Sequence, residues 1–331
     1  MFLGNQVLNQ DYDDAVFEEL GNAPANLESG RIADCWGLCP GFDSETADAI
    51  QAYLQAEVRG DACWIELPFD ARPGQLWGPT HIPDNELRVI KEVWSMKKVP
   101  VVRMRRALYR HPHSVTDWDV FCSTEVNTVG FESVGTEWPS VFYHRALKLL
   151  LTIYVDDFKL AGPKGNLAEG WKLLRSRLEI GPESSSGMYL GCNIIKNEIR
   201  RPQDRVVLRS ITYDMESFLE QCVARYLTVA GVDVKLREAR TPFLPPTSSR
   251  GPYRDPVHNQ GGCKWCGYDQ PGGPCPPDSH KESQAIEQPT GQLAAVAASV
   301  LMKCMYAARM ARFDLLRAVQ GLAKYLSLIH I

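Results

Sequence analysis

Nowhere in the 331 residues is there an apolar run of the roughly 18 residues that a membrane-spanning helix needs. The start, Met1-Phe2-Leu3-Gly4-Asn5-Gln6, has no basic region leading into an apolar core, so no secretion signal is read there. An excess of basic charge is missing too. Thirty-six Lys and Arg against 40 Asp and Glu leave a net charge of −4 and a pI near 6.0, which weighs against a chain dedicated to nucleic-acid binding. The ten cysteines are scattered rather than set in a dense framework, and a chain of this size does not need one. There is no internal repeat. These absences lead to the expectation of a protein with reduced thiols and no membrane partner, cytoplasmic or with nuclear access.

What is present is ordinary in bulk: 44% hydrophobic and 23% charged residues, enough for a substantial core and two or three subdomains. Residues 31–43, with Cys35, Gly37, Cys39, Pro40 and Gly41, read as a connection. From Ser44 to Ala56 the apolar positions Ala49, Ala52, Tyr53 and Ala56 fall at helical spacing. Strands are expected at Cys63–Leu67, Val99–Met104 and Trp138–Tyr143, and one continuous strand at Met188–Ile195 paired with Arg205–Leu208. Helices are expected over Asp117–Val129, stopped by Gly130, and over Leu167–Leu178, where Leu167, Trp171, Leu174 and Leu178 form one stripe. Two more are expected over Thr212–Leu227 and Gln292–Tyr325. The stretch 241–289, crowded with Pro, Gly and Ser, reads as a linker or insertion.

One dipeptide carries more chemistry than the rest. Leu149-Leu150-Leu151-Thr152-Ile153 and Phe158-Lys159-Leu160-Ala161-Gly162 are β-prone runs flanking Tyr154-Val155-Asp156-Asp157, which reads as a hairpin with both carboxylates near its tip. Paired carboxylates on stiff strands are hard oxygen ligands for Mg²⁺. Asp-Asp is also good turn chemistry, and on these residues alone that alternative stands. Asp48 is the candidate third carboxylate, although an acidic residue in the first turn of a helix needs no further role. Basic residues that suit a phosphate-tracking groove, or merely a solvated face, are Lys97, Lys98, Arg103, Arg105, Arg106, Arg110, Arg200 and Arg201.

In order along the chain, Asp48 to Ala56, Trp64 to Pro68, Arg103 to Tyr109, Tyr154 to Asp157, Tyr189 to Gly191, Thr241-Pro242 and Ala311 to Val319 resemble the motifs of the reverse transcriptase domain of copia-type retroelements. The likeness covers roughly residues 40–325. It implies an α+β fold: a polymerase palm with an antiparallel sheet and a Tyr-Val-Asp-Asp hairpin, partial fingers, and a helical, thumb-like C-terminal region. It further implies RNA-directed DNA synthesis by two-metal nucleotidyl transfer, with an RNA template, a DNA primer and dNTPs as partners. Asp48, Asp156 and Asp157 would be the catalytic residues and hold two Mg²⁺ ions, with Mn²⁺ as a substitute. Tyr53 would lie against the sugar 2′-position of the nucleotide, and competes with a plain core aromatic on the helix stripe. Tyr189, Leu190 and Gly191 would form the strand gripping the primer end, with a bulge or packing role for Gly191 as an equal competitor.

The chain also departs from that pattern. After Ala107-Leu108-Tyr109 the family continues Gly-Leu-Lys-Gln, whereas this chain has Arg110-His111-Pro112-His113. Arg110 either adds a phosphate contact to the nucleotide or spoils a position that needs positive φ. His111 and His113 read as solvated loop residues. Residues 1–47 read as a fingers remnant, 48–240 as palm and fingers, 241–289 as the insertion, 290–325 as the start of a helical thumb or connection, and 326–331 as an adapter-derived tail. In the insertion, Cys263, Cys266, Cys275 and His280 form a Cys₃His set for Zn²⁺. Their spacing fits no zinc knuckle, so unligated loop cysteines are the favoured reading. Two rivals to the polymerase are a catalytically inactive remnant that at most binds nucleic acid and an unrelated metal-dependent hydrolase using the same carboxylates.

Overall fold

The computed structural model describes residues 24–60, 62–67, 88–89, 92–94, 96, 101–185, 187–231, 236 and 294–327. The chain divides into two compact bodies, one formed by Met1–Leu190 with Lys196–Ile211, the other by Gly191–Ile195 with Thr212–Ile331. It is a mixed α and β protein whose sheets are antiparallel where their register is defined.

The first body is organised by a five-stranded sheet. Its strands are β1 (Phe42–Asp48), β4 (Glu132–Ser133), β5 (Val141–His144), β6 (Leu149–Tyr154) and β7 (Asp157–Pro163), in the order β1-β7-β6-β5-β4. A separate pair joins β2 (Trp64–Glu66) to β3 (Val101–Arg103). A three-stranded sheet of β8 (Gly187–Tyr189), β9 (Cys192–Arg200) and β10 (Val207–Asp214) has the order β10-β9-β8.

Strand alternation divides the five-stranded sheet into two unlike faces. Leu149, Leu151 and Ile153 of β6 share one face with Phe158 and Leu160 of β7. Onto it pack helix α3 (Ser114–Thr128), through Trp118, Cys122 and Val126, and helix α4 (Lys164–Arg175), through Leu167, Trp171 and Leu174. The approach of α4 is close. A Cβ on Gly170 would stand 2.4 Å from Leu149 Cδ1 and 2.9 Å from Leu160 Cδ2, so glycine is required there. Trp171 Nε1 is satisfied by Glu45 Oε2 of β1 at 2.8 Å.

The opposite face, through Lys159 of β7, meets helix α1 (Leu27–Gly37). Asn26 caps α1, accepting from the Ser29 N–H at 2.7 Å.

Within the second body, helix α5 (Glu216–Ala230) packs on helix α6 (Ala294–Met310). Asp214 Oδ1 accepts from the Glu216 N–H at 2.9 Å at the start of α5. A 3₁₀ turn, Phe313–Leu315, leads from α6 into α7 (Leu316–Ser327).

Several sequence expectations are corrected. Residues 31–37 belong to α1 rather than to a connection. Ser44–Asp48 is strand, not helix, because β1 pairs along its whole length with β7, and that tertiary pairing overrides a weak helical spacing. The alanine pattern survives only as the single turn α2 (Ala52–Gln55), separated from β1 by Gln51 at φ 49°. Met188–Ile195 is not one strand. Leu190 and Gly191 take positive φ, 49° and 72°, and turn the chain from β8 into β9. Consecutive positive φ values suit a two-residue hairpin turn, and Gly at the second position is the residue such a turn asks for. β10 carries Thr212–Asp214, which delays α5 to Glu216, and the 3₁₀ turn splits the expected C-terminal helix. Trp138 lies outside β5, which begins at Val141. The insertion 241–289, with the zinc candidates Cys263, Cys266, Cys275 and His280, lies outside the described residues, as does Lys97-Lys98.

Candidate carboxylate site

The strand pairing puts Asp48, the last residue of β1, directly opposite Asp157, the first residue of β7. Asp156 sits one residue earlier, in the two-residue turn between β6 and β7, where Tyr154 and Asp157 pair across the hairpin. Asp48 and Asp156 are exposed and Asp157 is half-buried.

The backbone around these residues is fixed from several sides. The Ala49 N–H donates to the Asp156 carbonyl at 2.8 Å, and the Gly181 N–H donates to the Asp48 carbonyl at 2.9 Å. The Ile50 N–H donates to the Glu179 carbonyl at 2.8 Å, so the end of β1 is held between the hairpin and residues 179–181. Val155 occupies the turn at φ 57°, an unusual conformation for a β-branched residue. Its carbonyl accepts from Trp118 Nε1 at 2.7 Å, which anchors the turn to α3. Backbone strain at such a position persists only where its surroundings over-determine it.

Electrostatics follow from this crowding. Burial, then the Asp156 and Asp48 charges, then a hydrogen bond with the Asp48 carboxyl, push the Asp157 pKa up to about 6. Two carboxyls facing each other share a proton more readily than two negative charges. Their oxygens are hard donors of the kind Mg²⁺ takes, and a divalent cation would relieve the same repulsion. Among the described residues, no group of three or more His, Cys, Asp or Glu side chains is gathered into a ready metal-binding cluster.

Two tyrosines border the carboxylates. Tyr53 of α2 lies against Tyr109, with ring centroids 4.7 Å apart and a tilt of 58°. Burial, with the Asp156 charge second, raises the pKa of both phenols. Tyr53 also packs against the main core, so its functional and structural readings share one position.

The remaining candidates are placed differently. Arg110 is exposed and takes φ 75°, so the position does demand the left-handed conformation that glycine adopts without strain. Arg103, Arg105 and Arg106 are exposed, and Arg106 Nη1 donates to the Gln55 carbonyl at 2.6 Å. Tyr189 is buried, with Lys159 Nζ 4.0 Å from its ring centroid, and Leu190 and Gly191 form the β8–β9 turn rather than a strand. His111 is not solvated. It is buried, 3.7 Å through Nε2 from Cys63 Sγ, and its pKa is lowered by burial first and by His113 second. Nothing in the residue pattern points to the Trp118 anchor, since a tryptophan within an expected helix reads as core. Tyr109 lay inside a noted motif, but only the fold shows that it backs Tyr53.

No helix among the described residues is long and apolar enough to cross a membrane. Set against known proteins, the chain matches no family model and no curated protein.

Proposed function

We propose that this chain is the polymerase portion of a copia-type retroelement polyprotein, an RNA-directed DNA polymerase. The observation that carries the proposal is the register pairing of Asp48 with Asp157, with Asp156 in the adjoining turn. The β1, β6 and β7 strands then act as a palm, and α6 and α7 as the start of a thumb-like region. Asp48, Asp156 and Asp157 would hold Mg²⁺, which when bound lowers the pKa of a primer 3′-hydroxyl and neutralises triphosphate charge. The backbone clamps on Asp48 and Asp156 fix where those carboxylates stand before substrate arrives. The Tyr53 ring, backed by Tyr109, forms a wall against the sugar 2′-position. Exposed Arg103, Arg105 and Arg106 supply positive charge for an RNA template and a DNA primer.

Primer extension on poly(rA)·oligo(dT) with Mg²⁺ or Mn²⁺ tests this, comparing the chain with Asp156→Asn. Extension by the parent and its loss by about 10³-fold or more in the variant is the expected result, since both carboxylate charge and metal ligation are removed. Equal extension by both proteins would remove the assigned site.

A second reading has its own observation. Arg110 at positive φ places a strained, charged residue directly after Tyr109. A retroelement remnant that binds a primer–template duplex without extending it would tolerate that change. In that case the duplex binds while neither protein extends it. Turnover of nucleic acid or phosphate esters without a primer would instead point to a hydrolase.

A further inference from the structure

Helix α5 of the second body has an apolar side that its contact with α6 does not use up. It meets α6 through Phe218, whose ring centroid lies 5.5 Å from that of Tyr306. One position further round the helix, Leu219, Val223 and Leu227 repeat at four-residue spacing and form a single apolar row. This row lines a groove of about 700 Å³ that also touches Ala311 and Arg312, just past the end of α6. Val223 is 44% exposed, so the middle of the row stands open to solvent.

The charge around the groove is of one sign. Asp214, Glu216 and Glu220 line it, against Arg312 alone. The Arg312 guanidinium is already held by Asp314, Nε to Oδ1 at 2.8 Å and Nη2 to Oδ2 at 2.7 Å. Glu216 and Glu220 are exposed, stand one helical turn apart on α5 and have no ion-pair partner among the described residues.

We propose that this groove docks a basic amphipathic helix of a partner protein. Three properties select that occupant. The apolar row runs about 12 Å from Leu219 to Leu227, the length over which about two turns of a partner helix can set apolar side chains. Helix α5 spends its backbone on its own hydrogen bonds and has no ladder of N–H and C=O groups to offer an extended strand. The occupant must therefore satisfy its own backbone, as a helix does. Glu216 and Glu220 then take Lys or Arg side chains from successive turns of that helix, and the same two carboxylates repel the phosphates of RNA or DNA. The groove is thus a protein-docking face, independent of the nucleic-acid contacts proposed above.

The test titrates the full chain into a fluorescently labelled Leu/Lys peptide with a one-sided apolar helical pattern, read by anisotropy. A Leu/Glu peptide of the same pattern is the control. The Leu/Lys peptide is expected to bind and to slow amide exchange in α5 and at residues 311–312, while the Leu/Glu peptide does not bind. Val223→Asp, at an exposed position, should weaken the Leu/Lys peptide by about 10-fold or more. Glu216→Lys combined with Glu220→Lys should weaken it by about 5-fold or more and let the Leu/Glu peptide bind. No binding, equal binding of both peptides, or an affinity that neither variant changes overturns the proposal. So does slowed exchange centred on Asp156 and Asp157 instead of α5. Self-association of the chain that Val223→Asp abolishes would make a second copy the occupant, and slowed exchange of the same α5 amides by oligo(dT) would make the face a nucleic-acid surface; either result also overturns it. The exchange map of the unaltered chain decides the matter even if a variant does not fold.

Discussion

Lys159 Nζ lies 2.8 Å from Asp34 Oδ1, and the two side chains are only 2% and 3% exposed. The pair joins the middle of β7 to α1, and the Lys159 ammonium also faces the Tyr189 ring. A charge removed so fully from water is tolerated because its partner is removed with it.

Removing one member of that pair strands the other. Asp34→Ala is expected to destabilise the chain by about 3–5 kcal/mol, whereas Asp34→Leu combined with Lys159→Met returns most of the loss. Urea denaturation of the parent, both single variants and the double variant measures the coupling. Additive losses would mean that the pair contributes no mutual stabilisation.

Asp157 predicts a pH dependence with a definite sign. Its folded-state pKa is raised from 3.8 to about 6. The folded state therefore binds this proton more tightly than the unfolded chain does. The contribution to stability is fully present below about pH 4 and is lost as pH rises through about 6. Asp157→Asn imitates the protonated form and should be more stable than the parent at pH 7.5, by about 1–2 kcal/mol once partial exposure is allowed for. The difference should vanish near pH 4. Thermal melts at both pH values check it, and an advantage that persists unchanged at pH 4 would place its origin elsewhere.

At position 110 the backbone sits at φ 75° under a side chain exposed to solvent. Arg110→Gly relieves a left-handed strain of about 1–2 kcal/mol but makes the unfolded chain freer, leaving a net gain of about 0.5 kcal/mol. Arg110→Ala keeps the strain and should gain nothing. The difference between glycine and alanine in denaturant midpoints is the diagnostic quantity.

Trp118→Phe keeps the ring volume near the core but deletes the donor to the Val155 carbonyl. The expected cost is about 1–3 kcal/mol, the range for leaving a sheltered acceptor unsatisfied. Amide exchange should rise first at the β6–β7 turn, while β4 and β5 keep their protection. Uniform faster exchange across the whole sheet would show a general loss of packing instead.

Much of the fold was legible in the sequence for identifiable reasons. Leu167, Trp171, Leu174 and Leu178 are all buried as their stripe predicts, and the apolar runs around Tyr154–Asp157 are β6 and β7. Gly130, expected to stop a helix, follows the end of α3 at φ 91°. What stayed hidden depended on partners distant in the chain. Ser44–Asp48 is polar and carries no strong strand signal, and it is extended only because β7 pairs with it. Leu190 at positive φ breaks a run that otherwise reads as one strand. For the site, Asp48 and the Asp156-Asp157 pair could be named from residue type and order. Their opposition across β1 and β7, the Tyr109 support and the buried state of His111 could not.

That opposition makes the site an all-or-none property of alignment. Beside Asp48 stand Ala47 of β1 and Ala49 just past the strand's end, both buried in the core. A slip of one position along β7 would set an alanine opposite Asp157, turn Asp48 toward the helices and expose what the core needs. There is no half-formed version with the carboxylates slightly misplaced. The same apolar side chains that stabilise the sheet thus act as its vernier, and a chain that packs correctly has already aimed its carboxylates.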